Sequence, residues 1–222
     1  MKKQILSLML VLLLVGCNFS NTGEIDSFTV IPEVETTTPT IVSTDLGLTN
    51  HSLVSNTSIS NIPPSLDEEE FKNEVYLKIP ALDIDANLKM VCGDYENNYD
   101  FSAVVENPVW LCSDASEYLS DIGAYGASII LGHRQWGIVP KVFAEVDKLE
   151  KSDKVIVQGS TSKINFKVQE IVEVVPEEVW KEIAKYYVLG IENEKSFLIL
   201  ITCTPYGTDQ LRLFIILERE YE

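Results

Sequence analysis

From residue 75 onward, short apolar segments recur at 75–79, 128–131, 155–157, 164–168, 197–202 and 211–217, each bounded by charged or turn-forming residues. Runs of this length, rich in Val, Ile and Phe, predict β-strands. The stretch 176–185 differs. Pro176 opens it, Glu177 and Glu178 fill a first turn whose exposed N–H groups favour negative charge, and the apolar residues then recur at helical spacing. One helix is predicted there. Residues 94–125 mix Asn, Asp, Ser and aromatics without a clean period, and read as loop and short helix. The pattern as a whole predicts an all-β domain over residues 71–222, a mostly antiparallel barrel with one or two short helices.

The N-terminus follows different rules. Lys2 and Lys3 precede an apolar run from Ile5 to Val15, the pattern of a secretory signal. A spanning helix needs roughly 20 apolar residues, and this run ends sooner, at Gly16-Cys17. Leu14-Val15-Gly16-Cys17 resembles a bacterial lipobox, in which the cysteine thiol is acylated with diacylglycerol and the preceding peptide is removed. A plain cleaved signal is the alternative, although a small-residue cleavage site has no need of a cysteine. Both readings put the domain outside the cytoplasm, and the lipobox adds a lipid anchor to the membrane at Cys17, closing a signal segment of residues 1–17. Residues 18–70 are rich in Ser, Thr, Asn, Pro and Glu, which describes a linker. As a flexible coil of some 50 residues it has a root-mean-square span of roughly 40 Å. His51 falls inside it and receives no role.

Composition narrows the function. A chain of 222 residues with 45% hydrophobic positions accommodates one medium domain beyond the signal and linker. Its net charge of −17 excludes nucleic acid as a partner, because a phosphate backbone demands a basic face. Of the four cysteines, Cys17 belongs to the lipobox, while Cys92 and Cys112 lie within one stretch. An oxidising compartment permits a bridge between those two, which by the chain-entropy estimate contributes roughly 3 kcal/mol, but sequence alone leaves the pairing open. With two histidines in the chain and no clustered Cys/His spacing, neither a metal site nor a cofactor is expected.

Cys203 ends the apolar run Leu198-Ile199-Leu200-Ile201-Thr202. Alone, such a cysteine is most often a small buried hydrophobe. Its surroundings change that reading: Thr204-Pro205-Tyr206-Gly207 is a turn, and Arg212 opens the next strand, so a hairpin returns the guanidinium to the thiol. A cation there lowers a thiol pKa and stabilises developing negative charge. The run Ile129-Ile130-Leu131-Gly132 ends in His133, the one histidine of the expected domain. A thiol nucleophile needs a proton acceptor and donor, and an imidazole is the common partner.

Gly132-His133-Arg134, Thr202-Cys203 and Arg212 together resemble the sortases. Tyr76-Leu77-Lys78-Ile79-Pro80 is similar to that family's first strand, residues 143–149 to the segment after its histidine, and residues 154–157 and 166–168 to its middle strands. The resemblance runs from about Glu74 to Glu220 and implies an eight-stranded β-barrel. It also implies an acyl transfer: cleavage of a sorting signal of the Leu-Pro-x-Thr-Gly kind on a surface protein, a thioester on Cys203, and release to an amine acceptor such as a peptidoglycan cross-bridge or a pilin lysine. Cys203 is then the nucleophile, His133 the proton donor and acceptor, and Arg212 the donor to the oxyanion or substrate carbonyl.

There are departures. The threonine that usually stands four residues before the cysteine is Ile199 here, the usual Gly-Asn ahead of the histidine strand is Gly126-Ala127, and the usual Gly-Asp ahead of a middle strand is Ser152-Asp153. Trp136-Gly137-Ile138, after His133, has no assigned role. The peptidoglycan L,D-transpeptidases also use Cys, His and Arg, but their arginine follows the cysteine within two positions, where this chain has Pro205. The rival of a different class is a catalytically silent, sortase-like lipoprotein that binds peptides or serves as a structural module.

Overall fold

Strand β1 (Val75–Ile79) alternates buried and half-buried residues, with Val75, Leu77 and Ile79 facing one side. That period-two pattern puts one face on a core. In the computed structural model, which describes residues 64–92 and 102–221, β1 pairs antiparallel with β2 (Ile84–Val91) and with β7 (Lys154–Gln158). The remaining strands are β3 (Val109–Leu111), β4 (Gly126–Leu131), β8 (Lys163–Val174), β9 (Ser196–Thr204) and β10 (Leu211–Arg219). These eight close into a barrel in the order β1-β2-β3-β4-β9-β10-β8-β7. Closure leaves no unpaired sheet edge. Most neighbours are antiparallel, whereas β2–β3 and β4–β9 are parallel, so the barrel is mixed. A small hairpin of β5 (Gln135–Trp136) and β6 (Val139–Pro140) stands apart from it.

Two apolar layers follow from the alternation. Leu77, Leu88, Trp110, Ile130, Val155, Phe166, Leu198 and Ile215 supply one residue from every barrel strand to a single buried cluster, which is the interior. The residues between them on β4, β9 and β10, namely Ile129, Leu131, Ile199, Ile201 and Phe214, face outward and are covered by Val179, Ile183 and Tyr186 of helix α1 (Val179–Glu192). Buried on both faces, β4 and β9 therefore lack polar alternation. The helix crosses β4 at a contact between backbones, since a Cβ on Gly190 would stand 2.6 Å from the Gly126 carbonyl oxygen. Gly126 itself has φ +108°, a conformation L side chains rarely adopt.

The predicted helix begins as a 3₁₀ turn at Pro176–Glu178 and continues well past residue 185 as α1. Residues 94–125 hold β3 besides 3₁₀ turns at Ser102–Val105 and Ser113–Ala115. Leu66, in the stretch read as linker, is fully buried and bridges to Ile122. Glu70 then ties this segment to the β7–β8 turn, accepting bonds from the Ser160 amide (3.0 Å), the hydroxyls of Ser160 (2.9 Å) and Ser162 (2.9 Å), and the Thr161 hydroxyl. Cys92 and Cys112 form a disulfide that joins the ends of β2 and β3. The signal, Cys17, His51 and most of the expected linker lie outside the described residues. Among the described residues no helix is long and apolar enough to cross a membrane.

Candidate active site

Register brings the three candidate residues to one level of the sheet. Cys203 on β9 is the direct antiparallel partner of Arg212 on β10. On the other side of β9, the parallel ladder to β4 ends at Leu131↔Ile201, and the Gly132 amide extends it by donating to the Ile201 carbonyl at 3.2 Å. His133 and Cys203 each lie two residues beyond that last pair. The histidine, the cysteine and the arginine therefore stand at the same end of three adjacent strands. Cys203 packs with Ile199 and Ile201 in the outward apolar layer, and residues directly opposite on neighbouring strands share a face.

All three are nearly inaccessible, with 2% exposure for Cys203, 2% for His133 and 1% for Arg212. Burial of polar groups in such company demands internal partners. Arg212 Nη1 donates to the carbonyls of Asp209 (2.6 Å) and Leu211 (3.1 Å), which hold the guanidinium against the β9–β10 turn. Cys203 stands outside the disulfide formed by the other two described cysteines. His133 is different: neither Nδ1 nor Nε2 meets a hydrogen-bond partner among the described residues. Burial, and secondarily the positive charge of Lys141, push its pKa below the ordinary histidine value and favour the neutral imidazole.

The chain after His133 is a tight hairpin. The Phe143 amide donates to the His133 carbonyl at 3.0 Å, the Lys141 amide to the Arg134 carbonyl at 2.9 Å, and the β5–β6 pairs carry the ladder to a turn at Gly137-Ile138. Gly132 lets the Phe143 ring pass beneath, since a Cβ there would lie 2.5 Å from that ring. Trp136 on β5 returns over the histidine, its ring centroid 5.1 Å from the imidazole and tilted by 53°.

Two further residues sit at this site that sequence reasoning left without a role, Arg134 and Trp136. The Arg134 guanidinium, 4% exposed, bonds Asp147 at 2.7 Å, donates to the Ala144 carbonyl and lies 5.2 Å from the Tyr206 ring. It thereby links the loop carrying His133 to the turn that follows Cys203. No periodicity marks this contact, since Arg134, Asp147 and Tyr206 meet only through the tertiary fold.

Chemically, a thiol, a neutral imidazole and a fixed guanidinium on one level can carry out acyl transfer. Elsewhere, Glu68, Cys92 and Cys112 bring ligand-type atoms within 4.8 Å of one another. Oxidation of the two sulfurs to a disulfide leaves no thiolate there to bind a metal.

Residues 77–220 match the Sortase domain family, well over half of the chain. Among solved structures, the chain is similar to the Group B Streptococcus pilus island 1 sortase C2, with 23% identity and a TM-score of 0.52 over 66% of this chain and 73% of that one. Sortase C-1 of Actinomyces oris is similar at 23% identity and a TM-score of 0.53, covering 67% and 74% of the two chains. Sortase A of Corynebacterium diphtheriae is similar at 18% and 0.52, covering 68% of this chain and 61% of that one. No curated protein sequence matches. At such identities the structural likeness shows the fold alone, an eight-stranded closed barrel. With the domain matched from Leu77 to Glu220, the chain belongs to the sortase family.

Proposed function

We propose that this chain is a sortase-type cysteine transpeptidase. The observation that carries the reading is the register: Cys203 pairs with Arg212 on one side, and His133 follows the end of the adjacent strand β4 at the same level on the other. The Cys203 sulfur, its proton passed to His133, attacks the carbonyl carbon of the scissile peptide bond in a sorting signal of the LPxTG kind. Arg212 donates to the oxyanion of the tetrahedral intermediate. Collapse breaks the C–N bond, His133 protonates the leaving amine, and the acyl group remains as a thioester. An amine then attacks the thioester, His133 takes its proton, and a new amide forms as the thiol is restored.

Unperturbed thiols and imidazoles titrate near about 8.5 and 6.5, and the downward push on His133 makes imidazolium scarcer still at neutral pH. The neutral imidazole is the form suited to take the thiol proton as the sulfur attacks. Surface proteins bearing a sorting signal are the donor substrates, and a peptidoglycan cross-bridge or a pilin lysine supplies the acceptor amine. The lipobox pattern Leu14-Val15-Gly16-Cys17 supports an extracytoplasmic domain tethered through lipid on Cys17. Incubation with LPxTG-type peptides and an amine tests the reading. A thioester at Cys203 and amine-dependent product are expected, whereas peptide binding without product would favour the silent module.

A further inference from the structure

A base that moves a proton between a nucleophile and an amine must have its ring held in one orientation, and the usual device is a hydrogen bond to the nitrogen not in use. His133 has no such bond from any described residue, yet it is 2% exposed. Something other than a hydrogen bond must hold the ring. The groups around it leave one such contact. Lys141 is engaged with Glu106 at 2.7 Å and Arg134 with Asp147 at 2.7 Å, while Arg212 is held by the carbonyls of its own turn. Cys203 lies at the same level on β9. Among the described residues, Trp136 is the one that meets the imidazole ring to ring, at 5.1 Å and 53°, a separation and tilt at which aromatic pairs attract.

Trp136 also sits where a purely structural tryptophan has little reason to be. Trp136 is 42% exposed, on a hairpin whose tip residue Ile138 is 97% exposed. The β5–β6 pairs hold Trp136 in this hairpin, where its ring lies against the histidine.

We infer that Trp136 is a positioning residue for the acyl transfer proposed above, its indole fixing the plane of the His133 ring and keeping water off it so that the thioester is released to an amine in preference to water. The inference rests on that reading of the site. Its physical content is separable, because an imidazole kept dry by a neighbouring ring titrates low whether or not the chain turns over.

The test uses the full chain, its histidines isotopically labelled, with Trp136→Ala and Trp136→Phe. His133 and His51 are the only histidines, so two imidazole titrations are followed by NMR. Trp136→Ala should raise the His133 midpoint by about one pH unit and move the partition between amide and hydrolysed product at least about threefold toward hydrolysis. Trp136→Phe should restore most of both. An unshifted His133 titration together with an unchanged partition, in a variant whose circular dichroism is native, overturns the inference. So does a uniform loss of rate with both readouts unmoved, which is the mark of a structural role. If the wild-type chain forms no thioester, the proposed activity fails, and the titration alone then decides the contact.

Discussion

Arg212 and Cys203 are direct partners across the β9–β10 ladder, and the guanidinium is anchored by the carbonyls of Asp209 and Leu211 from the connecting turn. Eight residues of chain separate a thiol from a cation that the hairpin sets side by side. A charge held by its own turn needs little reorganisation when an oxyanion forms beside it.

Arg212→Ala should therefore lower kcat/KM for transpeptidation by a factor equivalent to about 3 kcal/mol, the range for a single oxyanion donor. Arg212→Lys should not restore it, because an ammonium cannot hold the turn carbonyls and also reach substrate as a guanidinium fork does. Steady-state rates with a sorting-signal peptide and an amine check both, with circular dichroism confirming the fold. Near-wild-type activity in Arg212→Ala would remove the arginine from the mechanism.

Cys203 should be the one described cysteine alkylated in the native, oxidised protein, since Cys92 and Cys112 are joined. Its 2% exposure makes a small thiol reagent slow, and a peptide vinyl sulfone shaped like the sorting signal should be faster. Peptide mapping by mass spectrometry reads the site. Equal labelling rates for the two reagents would argue against a peptide-binding groove over the thiol.

Acid should loosen the attachment of the N-terminal segment. The Thr161 hydroxyl, the largest cause, with the hydroxyls of Ser160 and Ser162 and the Thr161 amide, holds Glu70 down to about 2 from an ordinary 4.5. The folded state thus stays deprotonated where the unfolded chain takes up a proton, so the contribution is complete above the unfolded value and is lost as pH falls from about 4.5 toward 2. The carboxylate is largely solvated, so screening limits Glu70→Gln to about 1 kcal/mol or less at pH 7. Urea unfolding at pH 7 and at low pH should show the two proteins converging in acid. A constant difference would assign the effect to shape rather than charge.

Ser152 stands at φ +77°, where the family usually has glycine. A non-glycine residue in that region carries about 1–2 kcal/mol of strain, partly offset by the greater chain entropy that glycine loses on folding, about 0.5–1 kcal/mol. Ser152→Gly should accordingly stabilise the barrel by up to about 1 kcal/mol, read as a raised urea midpoint at unchanged slope. A lowered midpoint would show that the exposed serine makes a favourable interaction.

Legibility from sequence tracks what each element answers to. β1, β7 and β8 are half-buried and alternate, while β9 and β10 are plain apolar runs, so all five could be read locally. β2 could not, because only Leu88 and Val91 of its eight residues are fully buried. β3 is three residues long, and its pairing to β2 and β4 defines it rather than any periodicity. Cys203 and Arg212 were legible as a hairpin relationship, since turn chemistry sets register. The level shared by His133 and Cys203 comes from a parallel ladder, which leaves no mark in either strand alone and was reached through family resemblance. The contacts of Arg134 and Trp136 depend on where a loop folds back, which a single sequence does not encode in any period.

The parallel pairing of β4 with β9 has a further consequence. His133, just past β4, and Cys203 on β9 have β5 through β8 and helix α1 between them in the chain, and they come to one level only once that whole length has folded and the ladder has zipped. Such long-range pairing forms slowly compared with local structure. Until then the thiol has no base and, before the β9–β10 hairpin forms, no cation. Under the proposed reading, a chain not yet folded would thus carry a cysteine as unreactive as any free thiol. For the proposed transpeptidase, competence would be conferred by completion of the barrel.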